Sequence, residues 1–236
     1  MKKSAICRGL KCHGDKRDRL NSWGIQLKNP QPKEIKPVTM NEDELIRRAL
    51  EESAQTKQAM ISSCGETLKT AAAWIAKVMQ KGNMLLICGN GGSAADSQHI
   101  ATEFVVRLTS DSRRDALPAI ALTTDTSTLT AAANDFGFDK IFSRQVEALG
   151  RPGDILIAIS TSGRSPNVIE AAKAAKKCGM KVIALLGSAK RELGALADLC
   201  LCIPSDNGQR VQEGHITAGH LLVGLVERRL AEHGGD

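Results

Sequence analysis

Five short, unbroken apolar runs, most of them separated by helical stretches, constrain this chain more than any other feature. They are Met84-Leu85-Leu86-Ile87-Cys88, Ala119-Ile120-Ala121-Leu122, Ile155-Leu156-Ile157-Ala158-Ile159, Val182-Ile183-Ala184-Leu185-Leu186 and Leu199-Cys200-Leu201-Cys202-Ile203. A strand with one wet face alternates apolar and polar residues, so a continuous run marks a strand covered on both faces. Helical patterns fall at about 93–108, 127–134, 142–149, 166–178 and 190–197, and a last one spans roughly 209–232. Strands alternating with helices predict a parallel sheet between two helical layers, a three-layer α/β/α sandwich. Ligands of such sheets sit at the carboxyl ends of the strands.

Ahead of this body, order is expected from Asn41. Asn41 and Glu44 have a capping arrangement before Leu45, Ile46, Ala49 and Leu50. A second helix is expected from about Glu66 to Gln80, closed by Gly82. The body is therefore preceded by an N-terminal helical pair, suited to packing or to an oligomer interface.

Charge separates residues 1–39 from residues 40–236. The net charge is +6, but residues 1–39 alone hold ten Lys/Arg against three Asp/Glu, leaving 22 basic and 23 acidic residues in the body. The pI of about 9.0 thus describes a tail, and it gives no sign that the body binds nucleic acid. Aromatics make up only 3% and Tyr is absent, so there is no stacking platform for single strands. The first 39 residues are charged, contain Pro30, Pro32 and Pro37, and have little to bury; they read as a disordered extension, with Met40 a candidate start for the body. Cys7, Cys12 and His13 suggest half a zinc site, but no matching second pair follows, and a loose tail is the better reading. Seven cysteines without framework spacing, no signal peptide and no apolar span predict a cytoplasmic, reduced protein with no membrane segment.

Two strand ends carry chemistry. The run 84–88 leads into Gly89-Asn90-Gly91-Gly92-Ser93, and the run 155–159 into Ser160-Thr161-Ser162-Gly163-Arg164-Ser165 before Pro166. Glycines admit a ligand close to the backbone, and hydroxyls at a helix start suit a phosphate. Ser165 before Pro166 reads as an N-cap with proline at the first helical position. Neither loop is GxGxxG or GxxxxGK[ST], so the dinucleotide and nucleoside triphosphate signatures are missing. A hydroxyl-rich phosphorylated small molecule fits both loops.

His99 and Glu103 lie four apart in the helix after the first loop, about 40° and 6 Å apart on one face. An imidazole and a carboxylate so placed can bind a divalent metal or pair in acid–base work, although a plain surface pair has the same spacing. The last helix adds Gln212, Glu213, His215 and His220. Gln212 and His215 are close at three apart; Gln212 and His220 are about 80° and 12 Å apart. Spacing does not choose between the two histidines.

The segments GNGGSAADSQHIATEF (89–104), ALTTDTSTLTAAANDFGFDKIFSRQVEALG (121–150), GDILIAISTSGRSPNVI (153–169) and RVQEGHITAGH (210–220) together resemble the sedoheptulose 7-phosphate isomerase, or phosphoheptose isomerase, family of the SIS fold group. The resemblance covers about 42–232. It implies a homotetramer with one zinc per subunit, interconverting D-sedoheptulose 7-phosphate and D-glycero-D-manno-heptose 7-phosphate, the first step of ADP-heptose biosynthesis for a lipopolysaccharide core or another glycan. By motif, the zinc ligands fall on His99, Glu103, Gln212 and His220. Substrate contacts fall on Asn90, Gly91, Gly92, Glu103, Asn134, Asp135, Ser160, Thr161, Ser162, Ser165 and Gln212. For the proton transfer, Glu103 is expected to act as base and His220 as proton donor to oxygen. One departure is Gln209, where the family often has Asp. A second class, the non-catalytic tetrameric scaffold that binds a replication initiator, has its acid–base residues replaced, whereas His99, Glu103 and His220 are present here. Other sugar-phosphate enzymes of the same fold group, such as arabinose 5-phosphate isomerases and amino-sugar etherases, form a third class.

Overall fold

The computed structural model describes residues 40–233. The expectations for residues 1–39, including Cys7, Cys12 and His13, lie outside the described residues. The chain begins with helix α1 (Glu42–Gln80) and continues through β1 (Leu85–Gly89), α2 (Gly92–Val105), β2 (Ala119–Ala121), α3 (Thr126–Phe136), a 3₁₀ turn (Phe138–Lys140), α4 (Ser143–Leu149), β3 (Ile155–Ser160), α5 (Pro166–Lys177), β4 (Lys181–Leu186), α6 (Arg191–Leu196), β5 (Leu199–Cys202) and α7 (Gly208–His233).

All strand pairs are parallel, in the order β2-β1-β3-β4-β5. The five-stranded sheet between helices is the predicted architecture. Alternate residues of each run feed opposite cores: Leu85, Ile87, Ile155, Ile157, Ile183 and Leu185 meet α1, α2 and α7. Leu86, Cys88, Leu156, Ala158, Val182 and Ala184 meet α3, α4 and α5. Burial on both faces makes the runs of β1, β3 and β4 continuous in sequence, whereas the edge strand β2 leaves Ile120 exposed, against the expectation for its run. From β1 the chain passes first to β2 on one side and then to β3 on the other. The order therefore reverses between β1 and β3, the position at which ligands of such sheets bind at the carboxyl ends of the strands.

The expected helical pair is one helix of 39 residues. Its buried positions Thr56, Met60, Cys64, Leu68, Ala72 and Ile75 continue at intervals of three or four through the middle of the segment. Thr56 and Cys64 carry that stripe across a stretch that reads as polar. Gly65 meets nothing in its surroundings and costs only about 1 kcal/mol in a helix, too little to break it. The amino-terminal part leaves Leu45, Ile46, Leu50 and Ile61 exposed. The rest packs along α7, held by buried Arg210, which donates to the Ala49 carbonyl at 2.5 Å and pairs with Glu213 at 2.6 Å.

Candidate functional site

The loops after β1 and β3 stand on adjacent strands at the sheet's reversal point. An amide pair joins them. The Asn90 side chain donates to Asn167 Oδ1, and Asn167 donates back to Asn90 Oδ1, both at 2.8 Å. Asn167 is almost fully buried in the first turn of α5. Nothing in the sequence singles it out, because its partner lies 77 positions away.

The serine turn is wired internally. Ser160 Oγ accepts the Gly163 N–H at 3.1 Å and shares a hydroxyl–hydroxyl hydrogen bond with Ser165 at 3.0 Å. Ser162 Oγ accepts the Arg164 N–H at 3.3 Å. Pro166 opens α5 as expected, but the Ser165 hydroxyl makes no cap bond to that helix. It turns back to Ser160, so the two hydroxyls hold each other in place.

Helix α2 leaves the first loop and carries His99 and Glu103 on one face, with His99 Nε2 and Glu103 Oε1 3.3 Å apart. Across from them, α7 presents His220, whose Nε2 is 2.8 Å from His99 Nε2. The three ligand atoms lie within 4.8 Å of one another. Donors bound tetrahedrally at about 2.0–2.1 Å lie roughly 3.3 Å apart. The His99–Glu103 distance matches this value, and the two imidazoles stand slightly closer. Two imidazoles and a carboxylate form a donor set that suits a divalent metal. Gln212, also on α7, lies against the first loop: a Cβ on Gly92 would sit 2.8–2.9 Å from its amide atoms. A side chain at position 92 would therefore push Gln212 away.

The structure separates the two histidines of α7. His215 is fully buried and bonds the Leu186 carbonyl at 3.1 Å. Burial lowers its pKa to about 4, and the bond to Leu186 opposes that only in part. It is a neutral group pinning α7 to the end of β4. His220 is exposed and faces His99.

The backbone that carries Glu103 is fixed by a residue the sequence reading did not single out. Arg114 donates to the carbonyls of Glu103 and Phe104 at 2.7 and 2.8 Å, and its guanidinium is held by Glu227 of α7 at 2.8 Å. One turn before His99, the carboxyl of Asp96 is pushed up to about 6 by burial, with His99 opposing the shift. Asn134 and Asp135 are exposed at the end of α3, hydrogen-bonded to each other at 2.8 Å. Asp135 borders a groove of about 590 Å³ with Ile120, Phe136 and Leu149, and none of the His99–Glu103–His220 set lines it.

The SIS domain family model matches residues 50–187, more than half of the chain. A phosphoheptose isomerase from Chlorobium phaeobacteroides is 50% identical over 189 residues, covering 80% of this chain and 84% of the relative. The chain belongs to the phosphoheptose isomerase family. Two solved members share its fold. The phosphoheptose isomerase of Neisseria gonorrhoeae has a TM-score of 0.74 at 42% identity, and that of Francisella tularensis 0.77 at 36%. Each match covers 80% of this chain and all of the other. The family match includes both strand-end loops and the α2 pair, while α7, with His220, lies beyond residue 187.

Proposed function

We propose that this chain is an aldose–ketose isomerase converting D-sedoheptulose 7-phosphate to D-glycero-D-manno-heptose 7-phosphate through an enediol, at the start of ADP-heptose biosynthesis. The observation that carries the reading is the meeting of His99, Glu103 and His220 from two helices, in a chain that also has a hydroxyl-lined turn at the end of β3.

The reaction moves a proton between C1 and C2 and shifts charge between their oxygens, so it needs a base over the carbon and a donor at oxygen. Glu103 is assigned as the base. Its Oε1 lies 3.3 Å from His99 Nε2, which leaves the second carboxylate oxygen to take the proton in this assignment. His220 is assigned as the donor to oxygen. Ser160, Thr161, Ser162 and Ser165 hold the phosphate, which fixes the far end of the sugar and aligns the reacting carbons. Asn90, Gly91 and Gly92 hold hydroxyls near the reacting end, where the Asn90 amide is already committed to Asn167. Asn134 and Asp135 are retained as substrate contacts on the family pattern.

His99, Glu103, Gln212 and His220 would hold a zinc ion, one per subunit, which when bound supplies Lewis-acid polarisation of the sugar carbonyl. The exposed apolar residues Leu45, Ile46, Leu50 and Ile61 of α1 support assembly as a homotetramer. Among the described residues no helix is long and apolar enough to cross a membrane, and a cytoplasmic location fits the free cysteines Cys64, Cys88, Cys178, Cys200 and Cys202. The scaffold alternative is not favoured, because the groups it would lack are present and gathered.

Incubation with sedoheptulose 7-phosphate, with and without a chelator, and identification of the product by NMR tests the reading. The expected result is chelator-sensitive formation of the aldose phosphate. No conversion by metal-loaded protein would refute it.

A further inference from the structure

Beside the serine turn lies a cavity of about 290 Å³ at the carboxyl ends of β3 and β4, bordered by Thr161, Ser162, Arg164, Ser188, Arg191 and Asp206. The phosphoheptose isomerase reading gives the phosphate neutral donors only, since the turn's hydroxyls carry no charge. The cavity supplies what they lack. Among the described residues, neither Arg164 nor Arg191 has a carboxylate within ion-pair distance, unlike Lys140, Lys173, Lys176 and Arg210 nearby in the fold. The one acid bordering the cavity, Asp206, is engaged by the Ser188 hydroxyl.

Arg191 has an unusual backbone. Its φ of +50° makes it the one non-glycine residue with positive φ among those described. A bulky side chain rarely adopts that conformation, which persists only where its surroundings impose it. The surroundings here are the serine turn itself. Gly187 N–H donates to the Thr161 carbonyl at 3.2 Å and Leu193 N–H to the Gly163 carbonyl at 3.1 Å, so the 187–193 segment is tied to the turn on both sides of Arg191. Gly163, at φ +65°, is also closely packed: an added Cβ would lie 3.0 Å from Arg191 Cβ. The left-handed residue therefore sits against the phosphate turn and borders the same cavity.

We infer that Arg191, seconded by Arg164, is a specificity-determining arm that takes the dianionic phosphate of the substrate from the side of β4, and that its strained backbone is retained for this placement. The inference rests on the phosphoheptose isomerase reading for its substrate but not for its anion. A guanidinium pairs with phosphate through a planar fork, so the arm favours a phosphorylated sugar over the free sugar and loses strength as salt rises.

The test compares Arg191→Gly and Arg191→Lys with the parent protein by steady-state kinetics, by thermal unfolding and by titration with inorganic phosphate. Glycine relieves the left-handed strain, so Arg191→Gly is expected to unfold about 2–4 °C higher. Its KM for sedoheptulose 7-phosphate and its Kd for inorganic phosphate are each expected to rise about tenfold, with a shallower salt dependence and a much smaller change in kcat. Arg191→Lys, which keeps the charge, is expected to recover part of the affinity. Unchanged KM and unchanged phosphate affinity in Arg191→Gly would overturn the inference. If the parent protein does not turn over the sugar phosphate, the isomerase reading fails, and the phosphate titration still decides whether the arginine arm exists.

Discussion

The two halves of the proposed site are built in opposite ways. The serine turn is one contiguous stretch at the end of β3, and the hydroxyls of Ser160, Ser162 and Ser165 are hydrogen-bonded to groups within five residues of themselves. The acid–base corner is convergent: His99 and His220 stand 121 positions apart and meet only because α2 and α7 pack side by side. The turn is held by local chemistry. The corner is held by the tertiary fold, through Arg114 reaching from the segment after α2 to Glu227 of α7. On the proposed roles, the phosphate end would depend on local hydrogen bonds and the reacting end on how two helices are seated.

That contrast can be tested in order of expected effect. Glu103→Gln removes the base and leaves the turn untouched, so kcat should fall by about 10²–10⁴ while KM for the sugar phosphate stays near the parent value. Stripping metal with a chelator should abolish turnover and be reversed by zinc, and metal analysis of the parent protein should return one ion per subunit. Ser162→Ala removes a hydroxyl from the anchoring end, and KM should rise about tenfold with kcat little changed; an unchanged KM would put the phosphate elsewhere. Arg114→Ala frees the Glu103 carbonyl and leaves half-buried Glu227 with only the Leu108 N–H. It should lower kcat about tenfold and cost about 2 kcal/mol of stability by chemical denaturation, without altering phosphate affinity.

The smallest effect separates the two histidines of α7. His215 is neutral in the fold, with its pKa lowered from 6.5 to about 4, and in the unfolded chain it charges more readily. The unfolded state therefore binds more protons between those values, and stability should fall as pH drops from about 6.5 toward 4. His215→Leu should reduce that acid sensitivity in denaturation curves across the window and leave the corner's chemistry in place. A parallel loss of kcat equal to that of Glu103→Gln would move His215 into the catalytic set.

The same contrast explains what the sequence made legible. The central strands β1, β3 and β4 were readable because burial on both faces leaves an unbroken run, and the serine turn because its chemistry is contiguous. The middle of α1 was not, because Thr56 and Cys64 occupy buried positions that polarity patterns assign to a gap between two helices. Spacing left His215 and His220 as equals, since the choice depends on which way α7 faces the sheet: one side is buried against the end of β4, the other opens toward α2. Asn167 and Arg114 left no local trace, because each acts through partners in distant segments or through backbone carbonyls. The signal from contiguous sites is local, and that from convergent sites is not.

The central claim is that Glu103 moves a proton at the reacting carbons while the serine turn holds the phosphate. Isomerisation of sedoheptulose 7-phosphate in deuterium oxide, followed by NMR, tests it directly. The parent protein should place solvent deuterium on the carbon next to the new carbonyl, and Glu103→Gln should bind the sugar phosphate yet incorporate almost none. Incorporation at the parent rate in Glu103→Gln would contradict the account.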